Sequence, residues 1–192
     1  MPVTYEQAHA HVKARLSSAA LGHSERVAAT AAHVASLYGY DPEAARLAGL
    51  LHDWHRETPA EDLVARARRL GLDVTEVDEA VPYLLHGPVA QADLELEFRD
   101  LPEDVLTAVG AHTYGMPDMA PLSMIVYIAD VIEPARHQGG VDSLRSSAGV
   151  RPLEDLFAEA YAASLHHLVE RRRRIHPQTV STWNDIAARS HR

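Results

Sequence analysis

This sequence predicts an all-α fold, a helical bundle. Two observations support that: apolar residues recur at helical spacing in one segment after another, and those segments open and close with legible caps, while no run alternates with period two between hairpin turns. With 192 residues and 46% apolar composition, the chain has enough material for one domain with a sizeable core.

Thr4 and Gln7 form a capping-box pattern ahead of Tyr5, Ala8, Val12 and Leu16, the first helix. After a break expected near Gly22, His23 opens a second periodic run through Val27, Ala31, Val34 and Leu37, closed by Gly39 as a left-handed cap. Asp41 and Pro42 supply an N-cap and a first-turn proline for a third helix, which becomes strongly apolar at Leu47, Leu50 and Leu51 and finishes in His52 and Asp53. Thr58, Pro59 and Glu61 repeat that start signal for a short surface helix ending at Gly71. Further helices are expected over 75–85, 88–97, 102–113 and 121–133, where Pro134 intervenes. Gly139 and Gly140 mark a loop, a longer helix is expected over 152–174, and a last short one follows His176 and Pro177.

Composition narrows the function. The formal net charge is -9, and Lys13 is the single lysine among eighteen basic residues, so nothing draws the chain globally to nucleic acid or to anionic lipid. No apolar run approaches the roughly 20 residues that span a bilayer, and residues 1–12 lack a basic-then-apolar leader, so a cytoplasmic location is expected. The run Arg171 to Arg174 near the end of a long helix opposes the macrodipole favourably; without interleaved aromatic residues it reads as a solvated face in preference to an RNA site. Zero cysteines exclude thiolate metal sites and thiol nucleophiles, leaving His, Asp, Glu or hydroxyls for hard chemistry. Thirteen histidines then stand out.

A His-Asp dipeptide is weak by itself, since about one is expected by chance in this composition. Its setting carries more. In Leu50-Leu51-His52-Asp53 the pair ends the most apolar helix, where an imidazole and a carboxylate without partners would be costly. His23, His86 in Leu84-Leu85-His86-Gly87, His112 in Ala111-His112-Thr113, and Asp130 in Tyr127-Ile128-Ala129-Asp130 occupy comparable places, at helix ends or inside apolar runs. Each lone histidine also fits a hydrogen-bonded core role, and it is the convergence of six such residues that favours a metal.

In this order, a histidine opening a helix, His-Asp, two single histidines and a closing aspartate, the chain resembles the HD-domain phosphohydrolases. More narrowly, His23-x-x-Arg26-Val27, Leu85-His86-Gly87-Pro88-Val89, His112-Thr113 and Ile128-Ala129-Asp130-Val131-Ile132-Glu133-Pro134-Ala135-Arg136 are similar to the YqeK-type symmetrical diadenosine tetraphosphate hydrolases. The match runs from about His23 to Asn184. It implies a single HD domain over 1–192, with the motif core at about 20–136 and C-terminal helices at about 152–190, and a possible homodimer.

The resemblance also implies two divalent metal ions, iron or manganese by donor type. His23, His52, Asp53 and Asp130 would hold one, His86 and His112 the other, with Asp53 bridging, and the two would activate a shared water that cleaves diadenosine tetraphosphate into two ADP. Arg26, Thr113, Glu133 and Arg136 are the expected substrate contacts, with Arg136 open also to a salt bridge with Glu133; Asp53, His55 and Arg56 are the expected catalytic set, His55 and Arg56 as donors to the leaving phosphate. Trp54 fits core packing better than adenine stacking. The chain departs from the family pattern at Ala20, at Trp54-His55-Arg56 and at Ser123-Met124, all positions tied to phosphate contacts. Two alternatives stand beside this reading: an HD-type enzyme acting on mononucleotides or alarmones, and a metal-containing binding domain without catalysis.

Overall fold

The computed structural model describes residues 3–189, and residues 1, 2 and 190–192 of the expected domain lie outside them. The described residues form eleven α-helices and one 3-10 turn, with no strand, as expected. The capping box of α1 (Tyr5–Arg15) is made: Gln7 N–H donates to Thr4 Oγ1 at 3.3 Å and Thr4 N–H to Gln7 Oε1 at 2.9 Å. α2 (Ser18–Tyr38) begins at Ser18, not at His23, because Ser17 caps it by accepting from Ala20 N–H. A glycine inside a helix costs only about 1 kcal/mol, so Gly22 is carried through, and the break falls at Leu16 and Ser17. His23 therefore lies within the helix, in its second turn.

α3 (Pro42–Leu51) starts at Asp41 and Pro42 as expected and passes directly into His52. α4 (Ala60–Arg69) follows Pro59 without a side-chain cap. The single helix expected over 75–85 is two pieces, α5 (Glu76–Ala80) and the 3-10 turn Pro82–Leu85. Pro82 has no N–H to give and pushes Val81 out of helical backbone, to φ -137 and ψ 66. α6 (His86–Glu97), α7 (Glu103–Ala111) and α8 (Pro121–Ile132) follow. α9 (Val141–Ser147) follows the Gly139-Gly140 loop where no helix was expected, and α10 (Leu153–Glu170) ends short of the expected Arg174, before α11 (Pro177–Arg189).

α8 is the central element. Its residues 123–129 are all buried, and α2, α3, α7, α9 and α10 pack around it. Ile125 and Ile128 join an apolar cluster with Val34, Leu156, Phe157 and Tyr161, while Val126 joins a second with Leu50, Leu51, Trp54 and Val109. A small third cluster, Leu63, Ala67, Leu85 and Val89, fastens the inner stripe of α4 to α6. Among the described residues no helix is long and apolar enough to cross a membrane.

α3 packs on α2 through Gly49. A Cβ there would stand 2.9 Å from Ala28 Cα and 3.1 Å from Val27 O, both backbone atoms that cannot step aside cheaply. Gly49→Ala is therefore expected to destabilise the fold by about 1–2 kcal/mol, overpacking outweighing the gain in helix propensity. Chemical denaturation checks this; an unchanged or raised midpoint would contradict the packing argument.

Candidate metal centre

Three helix ends and two helix interiors deliver the six expected ligands to one place. His52 and Asp53 follow the last turn of α3, His112 follows α7, and His86 opens α6 just after the 3-10 turn. His23 of α2 and Asp130 of α8 come from mid-helix. Asp53, 0% exposed, is the hub. Its Oδ2 lies 3.4 Å from His23 Nε2 and 3.2 Å from His52 Nε2; its Oδ1 lies 3.2 Å from His86 Nε2 and 3.8 Å from His112 Nε2. Asp130 Oδ1 is 3.1 Å from His23 Nε2, and the Nε2 atoms of His86 and His112 are 2.8 Å apart.

Each imidazole is turned the same way. His52, His86 and His112 sit three residues beyond Gly49, Tyr83 and Val109, and the Nδ1–H of each donates to that carbonyl, at 2.8, 2.6 and 2.6 Å. The ends of α3 and α7 free the carbonyls of Gly49 and Val109 from the i to i+4 ladder, while that of Tyr83 also accepts the His86 backbone N–H in the 3-10 turn. His23, inside a helix, has no such carbonyl, and a carboxylate takes its place: Nδ1 lies 3.3 Å from Glu133 Oε1. Arg26 Nε and Ala135 N–H in turn donate to Glu133 Oε2, at 2.7 and 2.8 Å. With the proton held on Nδ1, every Nε2 presents a lone pair to the centre.

That arrangement fits divalent cations. The atoms His23 Nε2, His52 Nε2 and Asp53 Oδ1 are buried without a hydrogen-bond partner, a costly state for polar groups unless something else binds them. Two lone pairs facing each other across His86 and His112 repel unless a cation lies between. Two overlapping sets, His23, His52 and Asp130, and His52, Asp53 and His112, each bring ligand atoms within 4.8 Å of one another. Burial, then His86 and His52, pushes His112 down to about 3, keeping it neutral. Burial opposes the charge of Asp53, but His52 and His86 outweigh it and hold the carboxyl well below its usual range; His23, His52 and Arg136 do the same for Asp130.

The HD-domain family pattern matches residues 20–135, which include all six of these side chains. The chain belongs to the HD-domain family. Relatives of this HD-domain hydrolase include a protein of Bacillus subtilis (strain 168), 30% identical over 96% of this chain and 98% of its own, and one of Staphylococcus aureus, 36% identical over 74% of this chain and 73% of its own. Both are named symmetrical bis(5'-nucleosyl)-tetraphosphatase. A solved structure from Clostridium acetobutylicum, titled a predicted HD superfamily hydrolase involved in NAD metabolism, superposes with a TM-score of 0.90 at 31% identity, covering 98% of this chain and 100% of that one.

Around the centre of the HD domain the remaining expected residues divide. Arg56 Nη1 donates to Asp53 Oδ2 at 2.8 Å and Arg136 Nη2 to Asp130 Oδ1 at 2.6 Å, so both guanidinium groups stand at the rim. Thr113 and Arg136 line a cavity of about 610 Å³ beside the centre. Glu133, expected to touch substrate, is 2% exposed and engaged by His23, Arg26 and Ala135, and Arg26 is held by it. His55, expected to donate to a leaving phosphate, instead bonds Asp93 at 2.8 Å and Thr58 at 2.9 Å, with Arg66 on the same Asp93. Through these bonds its ring braces the loop after His52 against α6, and burial lowers its pKa despite the Asp93 carboxylate. Trp54 is 1% exposed and packs edge-on against Phe98, which excludes adenine stacking.

Sequence reasoning did not single out Asp93, the carbonyl of Tyr83 or the cavity walls on α10. Gly87 was quoted only within a motif; its role is spatial, since a Cβ there would lie 2.3 Å from Thr113 Oγ1 and 3.1 Å from Gly110 O. It lets the start of α6 close onto the end of α7 and bring His86 to His112. Glu133→Gln, which keeps the shape and removes the charge behind His23, is expected to weaken binding of a divalent ion by about 10- to 100-fold. Titration of the metal-free protein with manganese(II) checks this, and unchanged affinity would contradict the role assigned to Glu133.

Proposed function

We propose that this HD-domain hydrolase splits dinucleoside tetraphosphates at their centre, diadenosine tetraphosphate giving two ADP, in a reaction dependent on two divalent metal ions. The observation that carries the reading is the two-sided engagement of Asp53, one oxygen toward His23 and His52 and the other toward His86 and His112. A bridging carboxylate has that geometry. On this reading His23, His52, Asp53 and Asp130 hold one ion, and His86, His112 and Asp53 the second. A set of imidazoles and carboxylates with no thiolate suits iron(II) or manganese(II) better than magnesium or calcium. Bound there, the ions supply Lewis-acid charge and raise the acidity of water toward neutral pH.

The chain's own groups do the rest. Asp53 and Asp130 stay ionised at neutral pH, and the four imidazoles stay turned by their Nδ1 partners, so the centre is organised before substrate arrives. Arg56 and Arg136, at the rim and on opposite carboxylates, clamp the non-bridging oxygens of the inner phosphates, each guanidinium keeping N–H groups beyond its carboxylate contact. Thr113 borders the same cavity, its Oγ1 buried against Gly87 without a hydrogen-bond partner. Central cleavage is supported by the word symmetrical in the relatives' names.

Product chromatography of the iron- or manganese-loaded protein with diadenosine tetraphosphate tests the proposal, with ADP expected as the sole nucleotide product. Asp53→Asn is expected to lower kcat by more than the roughly 100-fold that loss of an outer partner costs. AMP appearing with ATP would rule out symmetrical cleavage, turnover of mononucleotides or alarmones alone would favour the related HD-type enzymes, and no turnover of any nucleotide would leave a metal-containing binding domain.

A further inference from the structure

The space beside the ligand cluster is one-sided. Of the six ligands only His112 and Asp130 border the cavity of about 610 Å³, so the cluster stands at its wall and not at its middle. From there the cavity spans to α10 and to the turn at Arg174 and His176. Its wall suits a nucleoside: the half-buried Tyr114 ring lies flat on His176 at 4.4 Å and 10°, and the exposed Arg174 makes no ion pair among the described residues. The volume falls in the range of about 300–1,000 Å³ that accommodates one small ligand. Beyond the residues that line the cavity, a partly exposed rim stands beside Asp53. There Arg56 lies over the Tyr83 ring at 5.7 Å, Tyr83 is 43% exposed, and neither residue borders the cavity.

We infer that the two chemically identical halves of the substrate bind in unlike places, one nucleoside diphosphate half held in the cavity between the Tyr114 turn and α10, the other across the rim at Tyr83 and Arg56. This rests on the dinucleoside tetraphosphate reading above. In such a molecule the bond to be cut is central and must lie at the ligand cluster, and a cavity on one side of that cluster admits one half only. All four arginines of the basic run after α10 are exposed, and Arg174 alone of them borders the cavity and the half held there. A tetraphosphate carrying a single nucleoside keeps the half that is gripped and is a substrate as well, yielding ADP and pyrophosphate from the adenosine form.

Calorimetric titration of ADP into the wild-type chain tests this directly, with one strong site per chain expected and a second about tenfold or more weaker. Arg174→Ala and Ala163→Trp, both at exposed lining positions, are expected to weaken the strong site by about tenfold and to lower by a similar factor the preference, in kcat/KM, for diadenosine tetraphosphate over inorganic tetraphosphate. Tyr83→Ala is expected to act on the weaker site. Two equal ADP sites, or an unchanged preference in both cavity variants with helical content intact by circular dichroism, would overturn the inference. Failure of the wild type to release any ADP from diadenosine tetraphosphate would instead strike the functional reading on which it rests.

Discussion

A carboxylate buried among four imidazoles is the constraint around which this molecule is arranged. Asp53 is fully buried, and removing one partner of such a buried charged group costs about 3–5 kcal/mol. The fold meets that demand with distance-matched neighbours on both of its oxygens, and those neighbours come from α2, α6, the end of α7 and the turn after α3. The bundle and the centre are therefore one structure: the helices cannot shift without disturbing the ligands. Gly49 and Gly87 show how tight the tolerance is, since each removes a Cβ where backbone or a ligand-bearing turn would collide with it.

Orientation follows from the same economy of means. Three histidines at helix boundaries donate to the carbonyl three residues before them, and the fourth, inside α2, needs Glu133 and its Arg26 instead. The motif Ile-Glu-Pro after Asp130 thereby has a structural meaning: Ile132 ends α8, and Glu133, in extended backbone at φ -54 and ψ 152, turns back to His23. His55 and Asp93 brace the next turn along, tying the loop after His52 to α6, whose first residue is His86.

Much of this was legible in the sequence because it is written in local chemistry. Caps at Thr4, Asp41 and Gly39, the apolar end of α3 and the order of the six ligands all survive in the structure. What was hidden depends on competition between weak local signals and packing. Gly22 reads as a break, yet Ser17 and the long contact of α2 with α3 outweigh it; Pro82 splits a segment whose periodicity looks continuous; α9 is too short to show a period. The pairing of Glu133 with His23 spans 110 positions, and the cavity between α8 and α10 is a product of helix packing, so neither leaves a mark in any one stretch.

The central claim is that Asp53 joins two cation sites into one centre, and metal content measures it most directly. Elemental analysis of the purified chain after loading with iron(II) or manganese(II) and gel filtration should give two ions per wild-type chain and a loss of both in Asp53→Ala with its helices intact. One ion per wild-type chain, or two ions retained by Asp53→Ala, would contradict the account.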